Sequence, residues 1–349
     1  MERETIIDNI IKLKEKLKES VIIPVHHYQN YDIVKLGDFI GDSYKLAVES
    51  SKTDKEFIVF CGVKFMAEGT KILAKSFQKV LIPDIMAGCP MASMIDYNIA
   101  EKIFNILQQD CKREISPVVY MNSYADMKAF CGKNGGSVCT SSNAEKIIKY
   151  YLENNKSIFF FPDYNLGINT VNKLGIPKEN IVKVKRDLSI EGDVKNALLF
   201  LWDGFCIVHK NFKTTDILEL RKRYEGIKII VHPECDEDVV NLADYSGSTE
   251  KIYKTIKEAP SGSIWGIGTE TVFVDRLQKE FPDKKILPLR ESKCVNMEKI
   301  TLNKLYDSLL SILSYKESKT TLKYEIPEIV EYKEDAKIAL QKMIEIVEG

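Results

Sequence analysis

Three cysteines, Cys89, Cys206 and Cys294, stand far apart in the chain. Each lies one loop or a longer insertion beyond a strand-like run, in Ile-Pro-Asp-Ile-Met-Ala-Gly-Cys89, Trp-Asp-Gly-Phe-Cys206 and Glu-Ser-Lys-Cys294. No local metal motif spaces its ligands so widely, but a site drawing one ligand from each third of the chain would. Three thiolates on a [4Fe–4S] cluster leave the fourth iron open to substrate, which makes such a cluster a Lewis acid and not an electron carrier. The alternative is that the three are ordinary buried thiols. Of the other five cysteines, Cys61 falls in a strand, Cys111 in a helix, and Cys131 and Cys139 beside glycine-rich turns, and all four read as structural. Cys235 adjoins a candidate base, with no second thiol nearby to make it a ligand. The absence of Cys-x-x-Cys disfavours a zinc ribbon or a thioredoxin-like site.

Two strand ends carry groups that can move protons. His26 and Tyr28, two residues apart, share one side of a strand end, and His27 faces the other way. An imidazole and a phenol on one face suit proton transfer to a bound substrate, or equally a hydrogen-bonded pair closing the strand. His232 and Glu234 repeat the spacing in Val-His-Pro-Glu-Cys, where Pro233 stiffens the turn and Glu234 is a candidate general base. His209 follows Cys206 by three and reads as orienting that loop. Gly41-Asp42-Ser43, Thr140-Ser141-Ser142 and Gly247-Ser248-Thr249 read as helix starts after strands. Their N–H and hydroxyl groups either cap the helix or bind a carboxylate or phosphate. Three of them on one rim favour an anionic substrate.

The elements that must position these groups alternate. Ile6, Ile10, Leu13 and Leu17 predict an opening amphipathic helix. Short apolar runs then alternate with helical segments: Val21–Val25, Phe57–Phe60, Val80–Ile82, Val118–Tyr120, Ile158–Phe161, Ile227–Val231 and Ile286–Leu287. Such runs read as buried parallel strands, so the class is α/β. The strand-end signatures recur three times, as His26-His27-Tyr28, Tyr120-Met121-Asn122 and His232-Pro233-Glu234. This predicts three pseudo-threefold-related α/β/α domains with short parallel sheets around a central cavity. The expected domains are 1–88 with 296–349, 89–206 and 207–295. Ala336, Leu340, Ile344 and Val347 predict a final helix docked on the first of them. Ligands of such sheets bind beyond the carboxyl ends of the strands, where all the polar signatures fall.

Composition narrows the function classes. The 349 residues are 44% hydrophobic and 29% charged, a soluble globular balance. A net charge of −1 gives no electrostatic reason to expect nucleic acid or an anionic membrane as partner. The N-terminus lacks the apolar core of a secretion signal and no run is long enough to span a membrane, so a cytoplasmic location is expected. There is no Gly-x-Gly-x-x-Gly and no P-loop.

Taken in order, the signatures resemble the quinolinate synthase family. The matching segments are His26-His27-Tyr28-Gln29, Gly41-Asp42-Ser43, Gly62 to Glu68, Pro83-Asp84 through Cys89, Tyr120-x-Asn122-Ser123, Thr140 to Ala144, Phe161-Pro162-Asp163, Trp202 to His209, His232 to Cys235, Gly247-Ser248-Thr249, Gly268-Thr269-Glu270 and Cys294-x-Asn296-Met297. The resemblance implies condensation of iminosuccinate with dihydroxyacetone phosphate to quinolinate, with loss of phosphate and two waters, in de novo NAD biosynthesis. It implies one [4Fe–4S] cluster per chain, on Cys89, Cys206 and Cys294, with one open iron site. His26, Ser43, Tyr120, Asn122, Ser141, His232, Glu234, Ser248 and Thr249 become substrate contacts, and Tyr28, His232 and Glu234 carry the catalysis. An L-aspartate-oxidising enzyme would supply the iminosuccinate. The stretch Lys173–Leu201 reads as inserted material without a site. Two other classes are open to these residues: a cysteine-nucleophile transferase using Cys235 or Cys89, and a non-catalytic dicarboxylate-binding protein.

Overall fold

The computed structural model describes residues 2–349, which form two compact units. The first comprises residues 2–89 and Lys293–Ile329. Helix Arg3–Leu17 buries Ile6, Ile10, Leu13 and Leu17, the predicted stripe, and packs on helix Leu302–Ser318. Five short strands follow: β1 (Val21–Ile22), β2 (Pro24–His26), β3 (Phe39–Gly41), β4 (Phe57–Val59) and β5 (Lys79–Leu81). They make two small parallel sheets, β1-β4-β5 and β2-β3, tied by a parallel bridge between Val25 and Cys61. Every residue of β4 is buried, as a parallel strand covered on both faces requires.

The second unit comprises Pro90–Ser292 and Val330–Gly349. It holds β6 (Ile115–Tyr120), β7 (Ser137–Cys139), β8 (Ser157–Phe161), β9 (Ile181–Val184), β10 (Ile190–Glu191) and β11 (Leu199–Trp202) in the order β10-β9-β11-β8-β6-β7. A four-stranded parallel sheet follows, β13-β12-β14-β15, from β12 (Lys228–Val231), β13 (Tyr245–Ser246), β14 (Ile264–Gly268) and β15 (Lys285–Pro288). The class is therefore α/β, with short and mostly parallel sheets. The inserted stretch Lys173–Leu201 widens the first of these sheets. It supplies β9, most of β11, and β10, whose pairing with β9 is antiparallel.

The weak sequence repeat is precise in hydrogen bonding. His26 N–H donates to Cys61 O at 3.0 Å, and His232 N–H to Gly268 O at 3.0 Å. Tyr28 N–H donates to His26 Nδ1 at 3.2 Å, and Glu234 N–H to His232 Nδ1 at 3.3 Å. Upstream, the Ile23 and Ile229 amides each donate to an aspartate oxygen, Asp38 and Asp244, at 2.7 Å. A short helix begins five residues after each signature, at Tyr31, Ala125 and Glu237. The His26 and His232 turns thus share one hydrogen-bonded design, and the Tyr120 turn shares the position of its following helix.

The C-terminal helix corrects an expectation. Lys333–Glu348 does not join the first group of strands; it belongs to the second unit, packed on helix Ala125–Lys133 and β7. Its buried residues are Ala336, Ala339, Leu340, Met343 and Ile346, so the seam runs along a face rotated from the predicted one. Gly132 makes the close approach possible, because a Cβ there would sit 1.8 Å from Asp335 O. Gly132→Ala should therefore force the two helices apart and destabilise the protein by about 1–3 kcal/mol or more. Urea-unfolding midpoints would show it, and an unchanged midpoint would mean that the helix is not seated on Gly132.

Candidate functional site

The four-stranded sheet ends in a turn that fixes an imidazole. Cys235 N–H donates to His232 O at 3.0 Å and closes the Pro233-Glu234 corner. With Nδ1 of His232 accepting the Glu234 N–H, the neutral ring carries its proton on Nε2, so His232 is a hydrogen-bond donor at that atom. Burial, reinforced by neighbouring His209, pulls the His232 pKa down to about 3, so the ring is neutral near pH 7.

The same corner buries Glu234, whose side chain is 2% exposed. Three groups from elsewhere in this unit close on it. Tyr120, at the end of β6, donates its phenol to Oε1 at 2.5 Å. His209 Nδ1 lies 2.7 Å from Oε2, and His209 Nε2 lies 3.0 Å from Thr269 Oγ1, just past β14. The two imidazoles stack, with centroids 4.4 Å apart and planes inclined by 16°. Burial alone would raise the carboxyl pKa. Favourable electrostatic interaction with the His209 and His232 rings, with the hydrogen bonds from His209 and Tyr120, outweighs it and holds Glu234 down to about 2. Glu234 is therefore an ionised acceptor whose two oxygens are already engaged.

Cys206 stands next to this network. Its Sγ and the nearest donor atoms of His209 and Glu234 lie within 4.8 Å of one another, a group able to hold a metal ion. The loop that carries Cys206 is anchored by β11. Tyr164 N–H donates to Gly204 O at 2.9 Å, and a Cβ at Gly204 would meet Pro162 O at 2.2 Å, so only glycine fits. Asp163 lies beneath. Burial first, and then the Glu234 charge, push its carboxyl well above the ordinary range.

Orphaned polar atoms mark the open side of the strand ends. Asn122 Oδ1, Thr140 Oγ1 and Asn143 Nδ2 are buried with no hydrogen-bond partner. Buried polar atoms are normally paired, and a cluster left unpaired past parallel strand ends is where a ligand would bind. Ser141 sits in the turn between β7 and helix Ala144–Glu153, one turn earlier than a helix start. Ser248 caps helix Thr249–Glu258 by accepting the Lys251 N–H at 3.4 Å, and Ser248 and Thr249 are both buried.

The first unit holds the other predicted residues. His26 is buried and meets Tyr28 edge-on, with centroids 4.8 Å apart. Ser43 opens helix Ser43–Lys52, capped by Asp42, which accepts the Lys45 N–H at 3.0 Å. Gln29 Nε2 donates to Met297 O at 3.1 Å, which ties the His26–Gln29 turn to the chain after Cys294. Lys299 Nζ donates to Met86 O at 2.8 Å and Lys304 Nζ pairs with Asp84 at 2.6 Å, so the loop before Cys89 is fastened to that same chain.

Two groups were undervalued in the sequence. His209 does not merely orient a loop; it is the partner of Glu234. Thr269 fixes the other ring nitrogen of His209. The signal was Cys206-x-x-His209, a spacing that places both at one short helix start.

Comparison with known proteins agrees with these signatures. Residues 8–345 match the family model described as quinolinate synthetase A protein. The chain belongs to that family. A quinolinate synthase of Geobacillus sp. (strain WCH70) is 44% identical over 306 residues, covering 86% of this chain and 83% of its relative. The quinolinate synthase of Anoxybacillus flavithermus is 41% identical over 341 residues, 96% of this chain and 92% of that protein. That of Herpetosiphon aurantiacus is 40% identical over 353 residues, covering 98% and 93%. Among the described residues, no helix is long and apolar enough to cross a membrane.

A pH dependence follows from the buried imidazole. As pH falls below about 6.5 the unfolded chain protonates His232 before the folded one does, so stability drops between about 6.5 and 3. Glu234 works in the same direction at lower pH, since its stabilisation is lost from about 4.5 down to 2. His232→Gln should flatten the upper part of this acid limb, measured as urea midpoints across pH. An unaltered limb would place the destabilising proton elsewhere.

Proposed function

We propose that this chain is a quinolinate synthase of NAD biosynthesis, condensing iminosuccinate with dihydroxyacetone phosphate and releasing phosphate and two waters. The observation that carries the reading is the buried Tyr120–Glu234–His209–Thr269 network beside the orphaned polar atoms of Asn122, Thr140 and Asn143. Both substrates are anionic, and around the one paired carboxylate, Glu234, the strand ends present the neutral groups of Tyr120, Asn122, Thr140, Asn143 and Thr269. Iminosuccinate would come from an L-aspartate-oxidising enzyme.

The cysteines fit an iron–sulfur cluster by their donor chemistry. Metal ligation needs thiolates. Cys61, Cys131, Cys139 and Cys235 are wholly buried, and burial pushes their thiols up, so they hold their protons. Cys111 is part-exposed as well, but its Sγ is engaged with Ser157 Oγ at 3.7 Å and Ala197 O at 4.0 Å. Cys89, Cys206 and Cys294 are part-exposed residues on loops, and they are the ligands we assign to one [4Fe–4S] cluster. Such a cluster, with one open iron, supplies a Lewis acid that polarises a hydroxyl or carboxylate.

The chain's own groups divide the remaining work. His232, and His26 in its equivalent turn, donate Nε2–H groups to substrate oxygens. Ser43, Asn122, Ser141, Ser248 and Thr249 hydrogen-bond carboxylate or phosphate. Tyr120 and His209 orient Glu234. Glu234 takes a proton once one of those two donors turns to substrate. Tyr28 exchanges a proton as the ring closes. A Cys235 nucleophile is disfavoured, because its thiol is buried, protonated and directed at Gly268 O, 3.6 Å away.

Anaerobic purification followed by iron analysis and turnover tests the reading. A brown protein with four irons per chain that makes quinolinate supports it. A colourless active protein would favour a thiol nucleophile, and a colourless inactive one a binding protein. Replacing Cys89, Cys206 or Cys294 with Ala should abolish bound iron, whereas Cys61→Ala and Cys111→Ala should keep it. Retention of iron in Cys206→Ala would refute the ligand set. Glu234→Gln and Tyr28→Phe should keep the iron and lose about 10²- to 10⁴-fold in rate. Near-normal rates in both would move the proton transfers to other groups.

A further inference from the structure

Helix Ala125–Lys133 contains a lysine with no accessible surface, Lys128. Taking an ammonium out of water costs several kcal/mol unless its protons are well accommodated. The two equivalent turns show that the packing does not demand it. Eight residues after His26 stands Val34, which is buried, and eight after His232 stands Val240, packed against an apolar cluster. Eight after Tyr120 stands Lys128.

The ammonium is spent on one turn. Lys128 Nζ donates to Met121 O at 3.1 Å and to Ser123 O, and it lies 3.4 Å from Ser123 Oγ. Those atoms flank Asn122, whose buried Oδ1 has no partner. The same turn leaves Tyr120, the donor to Glu234. In the His26 and His232 turns an imidazole Nδ1 accepts the N–H two residues on and so ties the corner internally. Tyr120 has no such nitrogen, and a lysine from the next helix takes over the fastening.

We propose that Lys128 is a positioning residue that holds the Met121–Ser123 turn so that the Asn122 amide, with its unpaired Oδ1, faces an O–H or N–H donor of the substrate. This rests on the functional reading above and assigns a role to a residue outside the reacting groups. The isosteric change Lys128→Met removes the donors and keeps the volume. It should raise the KM of at least one of the two anionic substrates about tenfold, the loss of roughly one well-placed hydrogen bond, with kcat changed by less than about threefold. Asn122→Ala should give the same split, and the double variant should add nothing further. Lys128→Gln keeps one donor and should restore part of the lost affinity.

The assay is steady-state turnover of iminosuccinate and dihydroxyacetone phosphate, with iron content measured on each variant. A wild-type protein that makes no quinolinate overturns the functional reading and this role together. With an active wild type, three results overturn the role alone: unchanged KM values in Lys128→Met, additive effects in the double variant, or failure of both Lys128 variants to fold, which would make the lysine purely structural.

Discussion

The site in the second unit is organised by one buried charge. Glu234 is almost wholly withdrawn from water, and an isolated carboxylate in that position would be several kcal/mol unfavourable. Its stability comes from Tyr120 and His209, with His232 stacked behind. Those partners arrive from β6, from the short helix Ile207–Lys210 and from the turn after β12, and Thr269 after β14 fixes the far side of His209. Two sheets must therefore end in register for the carboxylate to be paired. Removing one partner leaves a buried charge unsatisfied, which is more damaging than the loss of one ordinary hydrogen bond.

The same constraint separates the proton chemistry of the neighbouring groups. Asp163 and Glu234 are both buried carboxyls, yet their environments drive them in opposite directions. Glu234 has the hydrogen-bonding partners Tyr120 and His209 and stays ionised. Asp163 feels burial and the Glu234 charge, and its carboxyl is pushed up instead. Paired titratable groups pushed apart in this way are characteristic of catalytic sites. The imidazoles are tuned by geometry as much as by charge, since the turn amides at Tyr28 and Glu234 occupy Nδ1 and leave Nε2–H as the outward donor.

Much of this was legible in the sequence because it depends on local pattern. The apolar runs and their polar ends mark β2, β4, β6, β8, β12 and β15, and the i, i+2 spacing of His26 with Tyr28 and His232 with Glu234 marks the turns. What was not legible depends on packing between distant segments. The last helix has an amphipathic face that could sit on any apolar surface; the bare backbone at Gly132 selects its seat, and no periodicity in the helix itself encodes that. His209 looked like a loop residue because its partner is 25 positions away. Nothing in the local sequence singles out Lys128; only the turn carbonyls folded over it show its burial. The strands β9 and β10 were hidden because β9 alternates buried with part-exposed positions and β10 is a two-residue edge strand, so neither has a continuous apolar run.

The ionisation of Glu234 is the point on which the account turns. Isotope-edited infrared spectroscopy, with glutamate carboxyls labelled and the spectrum differenced against Glu234→Gln, reads it directly. The account predicts that Glu234 contributes a carboxylate band at neutral pH, and that this band persists well below the pH at which an ordinary glutamate protonates. A protonated carboxyl band from Glu234 at neutral pH would contradict it, because Tyr120 and His209 could not then be donating to a charge that is absent.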